Sequence, residues 1–238
     1  MRQSLLKIFL IQKDSLGMGI INSSVKQAFV CSFQQKCIKL VCQAHDILCN
    51  NHTINQEMDE ETVSTCIADI IDNSQQAIEW MIHIGTEHRL TTGFYIQNPI
   101  SSKSLNRIDF RYETDVWENN NPNRLRYYME AKNLYQIDFR KASNNSVTPA
   151  KAYFNRYIET GIDHIVTGYY PSNTLLLGYV LVGDVCPVVD GINSQLDSLN
   201  RNGEHLTHFP SCYEGNLWGT FSSNHNGLNI YHLMLKFV

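Results

Sequence analysis

Two stretches of alternating polarity, separated by an asparagine-rich turn, constrain this chain more than any other feature. Residues 107–112 alternate with period two, so that Ile108, Phe110 and Tyr112 share one face of a strand while Arg107, Asp109 and Arg111 share the other. Residues 125–134 repeat the pattern: Leu125, Tyr127, Met129 and Ala131 point one way, and Arg126, Tyr128, Glu130, Lys132 and Leu134 point the other. Between them, Glu118-Asn119-Asn120-Asn121-Pro122-Asn123 reads as a turn. An antiparallel hairpin is the simplest connection, and it brings Asp109 near Glu130.

Helical text precedes the hairpin. Ser23 and Ser24 can cap a helix over residues 25–49, in which Phe29, Phe33, Ile38, Val41, Ile47 and Leu48 recur at helical spacing. A second helix begins near Glu57; Asp59, Glu60 and Glu61 load its first turns with charge that complements the dipole, and Val63, Ile67, Ile70 and Ile71 supply its buried face. Residues 77–84 form an apolar patch that reads equally as helix or strand. After the hairpin we expect a polar loop over 143–148, a helix over 149–159 stopped by Gly161, and strands over 162–169 and 175–182. A helix over 185–199 and a last strand over 230–238 complete the order. A short apolar run at residues 5–11 reads as a strand or buried arm. The fold expected is α/β, a central mixed β-sheet flanked by helices. One domain is expected over residues 1–238: an N-terminal helical part over about 1–90, a core over about 57–200 and a C-terminal β extension over about 200–238.

Hydrophobic residues make up 43% of the chain and charged residues 18%, which suits a globular fold and argues against disorder or a coiled coil. No segment approaches the roughly 18–20 uninterrupted apolar residues of a membrane span, and no small-residue cleavage site follows residues 5–11, so the cytoplasm is the expected location. None of the seven cysteines forms a Cys-x-x-Cys pair. Four of them, Cys31, Cys37, Cys42 and Cys49, lie in one helical stretch, where they read as small buried hydrophobes of a protein from a reducing compartment. Net charge is −4, yet residues 101–156 carry ten basic side chains against six acidic, leaving that segment at +4 and the remainder at −8. A locally basic middle suits a confined phosphate-binding groove. No Walker-type loop, Gly-x-Gly-x-x-Gly or Gly-x-Ser-x-Gly occurs, which argues against ATP-driven, dinucleotide-binding and α/β-hydrolase chemistry.

The hairpin carries the residues of interest. Metal-dependent phosphodiester hydrolysis needs anionic oxygen ligands for a hard cation and a second cation near the attacking water. Asp109 and Glu130 can be the ligands, Ala131 can add its carbonyl, and Lys132, two residues from Glu130 on the same strand face, can position water. Magnesium or manganese is the metal expected.

A strand Asp followed by Glu130-Ala131-Lys132 on the next strand resembles the PD-(D/E)XK nuclease superfamily, the restriction-endonuclease-like fold. The resemblance covers residues 57–182 by element order: helix with an acidic residue, strand with Asp, strand with Glu-x-Lys, helix, strand. It implies that an acidic residue of the first core helix joins the site, Glu61 ranking ahead of Glu60, with Glu87 as an outside candidate. Ile108 stands where the family often has proline. More loosely, Tyr153, Tyr157, Gly161, Thr167-Gly168-Tyr169-Tyr170, Gly178-Tyr179-Val180 and Gly183-Asp184 resemble bacterial restriction-like proteins of uncharacterised or defence-associated type, as do Ser223-Asn224-His225 and Tyr231-His232-Leu233. The two histidines read as structural before catalytic.

The resemblance implies an endonuclease acting on DNA in preference to RNA, in restriction or phage defence. Arg107, Arg111, Arg126 and Lys151 would contact phosphates, Tyr128, on the same face as Glu130, could support a base or the lysine, and a homodimer would present two sites. A nuclease-like subunit without activity, serving binding or assembly in a larger complex, is the competing reading, and the net charge of −4 favours it. A hydrolase of smaller phosphoesters is the third.

Overall fold

The computed structural model describes residues 23–90, 107–118, 121–142, 145–210 and 218–237. The expected arm at residues 5–11 lies outside them. Helix α1 (Ser23–Asn50) and helix α2 (Glu60–Asp72) form as the spacing predicts. The Asp59 carboxylate caps α2 by accepting the Thr62 amide at 2.7 Å. The undecided patch divides: helix α3 (Gln75–Glu79), then strand β1 (His83–Arg89).

Strands β2 (Arg107–Glu118) and β3 (Asn121–Tyr135) make the expected antiparallel hairpin. Its strands run further than the polarity alone suggested, pairing as far as Glu118 with Asn121. Short strands β4 (Phe139–Arg140) and β5 (Val147–Thr148) form a separate ribbon. Then come helix α4 (Ala150–Arg156), a π-helical segment (Tyr157–Ile162), helix α5 (Asp163–Val166) and strand β6 (Leu175–Val182). Helix α6 (Val185–Ser198), a 3-10 turn (Asn202–Glu204), and strands β7 (Thr207–His208), β8 (Trp218–His225) and β9 (Leu228–Lys236) complete the chain.

Seven strands form one mixed open sheet in the order β1-β2-β3-β6-β9-β8-β7. β3, β6 and β9 run parallel, and the outer pairs are antiparallel. Parallel neighbours need crossover connections, and these are α4 to α5 between β3 and β6, and α6 before β9. Both pack on one face, where Phe154, Ile158, Ile162, Val188 and Ile192 meet Leu134, Leu176, Val180 and Met234. Helices α1 and α2 cover the other, Val41, Val63, Ile67 and Ile71 meeting Phe110, Met129, Leu177 and Leu235. Because β6 is covered on both faces, its residues 175–182 read as an unbroken apolar run. Gly178 in its middle lies so close to Met234 and Leu134 that a Cβ there would force those side chains to shift.

Three expectations are corrected. Gly161 does not stop a helix, and residues 162–169 are not a strand: the helix continues through the π-helical segment to Val166. Ile158, Ile162 and Ile165 recur at helical spacing and are buried, which outweighs their β propensity, and Gly161 lies within contact of Leu176. Gly168, at φ +76°, follows the last turn instead. Ile108 does not share a face with Phe110 and Tyr112; it packs with the crossover helices, whereas they pack with α1 and α2. The alternation therefore breaks at Asp109. Among the described residues no helix is long and apolar enough to cross a membrane.

Candidate functional site

The break in alternation makes the site. At Asp109 a side chain joins the hairpin ladder: its Oδ2 accepts the Ala131 amide at 2.7 Å, while the Asp109 amide donates to Glu130 Oε2 at 3.3 Å. Asp109 and Glu130 are thus clasped across β2 and β3, as the hairpin predicted. Lys132 follows on β3, almost fully buried at 3% exposure, beside Glu130 at 4%. The Lys132 ammonium donates to Glu130 Oε1 at 2.5 Å, to the Ala131 carbonyl at 2.7 Å and to Glu60 Oε1 at 3.4 Å.

The first turn of α2 supplies Glu60. It bridges elements: Oε1 also accepts from Arg156 at 3.2 Å, and Oε2 accepts the Asn133 amide at 3.2 Å. Tyr170, in the turn after α5, donates its hydroxyl to Glu130 Oε1 at 2.8 Å. Glu60, Asp109, Glu130, Lys132, Arg156 and Tyr170, with Asp59, Glu61, Glu87, Arg107, Thr160 and Tyr169, line a cleft of about 600 Å³. Arg156 immediately precedes the π-helical segment and Thr160 lies within it, a placement in keeping with the frequent use of π-bulges at functional sites.

Burial sets the protonation of the cluster. Desolvation, then the neighbouring Glu130 charge, pushes the Asp109 carboxyl up to about 7, against the pull of Lys132. Glu130 is likewise raised by burial, with Lys132 and the Tyr170 hydroxyl opposing. For Lys132, burial favours the neutral amine, but Glu130, Glu60 and Asp109 together outweigh it and hold the ammonium above the ordinary lysine range. Burial and the adjacent Glu130 also raise the Tyr170 phenol, so it stays a donor.

Not every expected residue converges. Glu61 lines the cleft but is exposed; Glu60, one position earlier, is the helix carboxylate that reaches Lys132. Glu87 also lines the cleft and pairs with Arg107. Arg107 is the one expected phosphate contact among the cleft residues. Arg111 and Arg126 gather around Glu113 instead, at 3.3 and 2.8 Å, and Lys151 is exposed on α4. Tyr128 packs against the crossover-helix core. Arg156 and Thr160 were not singled out as site residues, because only the fold brings the α4 terminus over β3. Tyr169-Tyr170 stood out in the sequence only as a run.

The donor atoms suit a hard divalent cation in kind: two carboxylates, a carbonyl and a third carboxylate on α2. They do not converge as they stand. Among the described residues, no three His, Cys, Asp or Glu side chains are close enough together to hold a metal ion. Glu130 Oε1 and the Ala131 carbonyl are both engaged by the Lys132 ammonium.

The other motif noted in the sequence forms a buried hydrogen-bond chain. Glu204 Oε2 lies 2.6 Å from His225 Nδ1, Ser223 Oγ lies 2.7 Å from His225 Nε2 and 2.8 Å from His232 Nε2, and His232 Nδ1 lies 2.8 Å from the Tyr157 hydroxyl. A carboxylate only accepts, so His225 carries its proton on Nδ1. Burial lowers both histidines, His232 to about 3, and keeps them neutral. Ser223 then donates to His225, His232 Nε2–H donates to Ser223, and Tyr157 donates to His232. Every atom is satisfied, and Ser223, His225 and His232 are at most 4% exposed, so the chain orders the core.

Comparison with protein-family models, with curated proteins and with solved structures finds no match to this chain. The fold and cleft define an α/β protein with a mixed seven-stranded sheet and a buried carboxylate–lysine cluster where α2 meets the β2/β3 hairpin.

Proposed function

We propose that this cleft is the active site of a metal-dependent nuclease that hydrolyses phosphodiester bonds of nucleic acid, DNA in preference to RNA, in restriction or phage defence. The observation that carries the reading is the clasp of Asp109 to the Glu130-Ala131-Lys132 strand, closed by Glu60 from α2. The order α2, β2, β3, crossover helix, β6 supports the reading, since it is the order that the resemblance to a restriction-endonuclease-like core implies. Asp109, Glu130 and the Ala131 carbonyl, with Glu60 as the helix carboxylate, would hold magnesium or manganese, which when bound supplies polarisation of the phosphate and an acidified water. Lys132 contributes positive charge near the attacking water and the negative charge that develops on the phosphate. Arg107 and Arg156, which line the cleft, would hold the flanking backbone. The thiols of Cys37, Cys49, Cys66 and Cys186, in no disulfide, support a reducing compartment and hence the cytoplasm.

The test is to incubate wild type and Glu130→Ala with plasmid, linear DNA, single-stranded DNA and RNA, each with magnesium, manganese or EDTA. Metal-dependent cutting by wild type alone is the expected result and names the substrate class. Cutting at equal rates by both proteins contradicts the reading. No cutting by either also rejects it, in favour of an inactive nuclease-like subunit, whose mark is copurification with a partner and function that survives Lys132→Ala.

A further inference from the structure

The π-helical segment Tyr157–Ile162 is bracketed by two polar contacts that belong to one chain of hydrogen bonds. At its first residue the Tyr157 hydroxyl donates to His232 Nδ1 at 2.8 Å, and just past its last residue the Asp163 carboxylate accepts from Arg201 at 2.8 Å. Between these ends run His232, Ser223, His225 and Glu204, and Glu204 accepts from the same Arg201 nitrogen at 2.6 Å, which closes the path. Strands β8 and β9 and the 3-10 turn thus hold both ends of one turn of the crossover. We propose that this chain is a positioning clamp that keeps residues 157–162 in the π-helical register and so sets Arg156 and Thr160 in the wall of the cleft.

Apolar burial does not select that register. The buried Ile158, Ile162 and Ile165 recur at a spacing that an ordinary α-helix also satisfies, and π-helical turns are rare. Taking the added residue out of the turn rotates everything after it by roughly 100°, the step per residue of an α-helix. Tyr157 and Asp163 then cannot both keep their partners. The chain resists that rotation because its middle is buried, with Ser223, His225 and His232 at most 4% exposed, and a broken bond there strands a polar atom away from water. At the cleft, Arg156 directly precedes Tyr157 and bonds to Glu60 Oε1, the oxygen that Lys132 also reaches. Thr160, within the segment, donates its hydroxyl to the Arg156 carbonyl at 2.8 Å and lines the cleft. Ser223, His225 and His232 are therefore positioning residues for Arg156. That purpose rests on the nucleic-acid reading of the cleft, whereas the clamp itself does not.

Amide hydrogen exchange of wild type, Ser223→Ala, Tyr157→Phe and the double variant, followed by NMR, tests the clamp. The Ser223 hydroxyl bonds to the two histidines, so its loss reaches the segment along the chain. In Ser223→Ala the amides of residues 157–163 should exchange faster by about tenfold or more relative to those of Val188 and Ile192 on α6, which pack in the same core. The Arg156 Nε–H signal should shift with them. In the double variant the increase should be no larger than in the greater single, because either cut opens the same chain. An equal factor at 157–163 and at α6, an unmoved Arg156 signal, or additive effects would overturn the clamp. Because Ser223→Ala can fail to fold, wild type provides a second readout. Its imidazole nitrogen signals should place the proton on Nδ1 of His225 and on Nε2 of His232; the same tautomer in both rings breaks the chain at Ser223 or at Glu204 and overturns the clamp. These readouts use no nucleic acid, so failure of the nuclease reading leaves them in force.

Discussion

The Asp109 carboxylate accepts the Ala131 amide at 2.7 Å, so a side chain on β2 holds the backbone of β3 between the two residues proposed for the chemistry. Asparagine can accept the same bond without the charge. Asp109→Asn is therefore expected to keep the fold while lowering metal-dependent cleavage by about a thousandfold, as loss of a ligand and transition-state charge stabilisation implies. Single-turnover cleavage together with circular dichroism checks this. Retained cleavage would show that the carboxylate is only a strand clasp.

The same carboxyl gives a signed pH dependence. Its folded pKa, about 7, lies above the ordinary carboxylate value, so between pH 4 and 7 the native state binds more protons than the unfolded state. The stability contribution of Asp109 is complete below about pH 4 and is lost as pH rises through 7. Urea unfolding should show wild type losing on the order of 2–4 kcal/mol relative to Asp109→Asn across that window. A difference independent of pH contradicts the assignment.

Burial of the histidine chain predicts the opposite slope elsewhere in the molecule. His232 is held near 3 and His225 also below its ordinary value, so both must gain protons on acid unfolding, and their contribution falls as pH drops below about 6.5. Ser223→Ala leaves ring nitrogens of two buried histidines without their shared partner. It should cost about 1–3 kcal/mol in urea unfolding at pH 7.5. A loss under 0.5 kcal/mol would mean that the chain is not formed in solution.

Tyr170→Phe removes one donor from Glu130 and nothing else from the cluster. A hydrogen bond to a charged acceptor contributes about 1.5–3 kcal/mol, and the phenyl ring still fills the space. The melting temperature should fall by several degrees at alkaline pH and by less at acid pH, because the raised Glu130 carboxyl takes up its proton as pH falls. Equal losses at the two pH values would remove Glu130 as the partner.

The hairpin was legible because period-two alternation holds on β3 and on β2 from Phe110 onward, and the separation of Asp109 from Glu130 by one Asn/Pro turn fixes their meeting; the break at Asp109 left no mark in the polarity pattern. Glu60 and Glu61 were not separable. Which of two adjacent helix residues faces the sheet depends on how Val63, Ile67 and Ile71 seat α2, and that rotation is a packing outcome. Strand β8 stayed hidden because the positions it buries include Ser223 and His225, which pattern-reading counts as polar. Residues 162–166 misled for the converse reason: β-branched isoleucine and valine sit in a helix whose burial, not propensity, decides its state. Arg156 enters the site only through the crossover, a contact between residues far apart in sequence.

The most direct measurement of the central claim is the single-turnover rate of DNA cleavage in excess Mn2+ by wild type and by Glu130→Gln, which keeps the size of the side chain and removes its charge. We expect cleavage by wild type that EDTA abolishes, and a rate at least a thousandfold lower in the variant at equal circular dichroism. Cleavage of the same DNA by Glu130→Gln at the wild-type rate would contradict the assignment of this cluster as the catalytic centre.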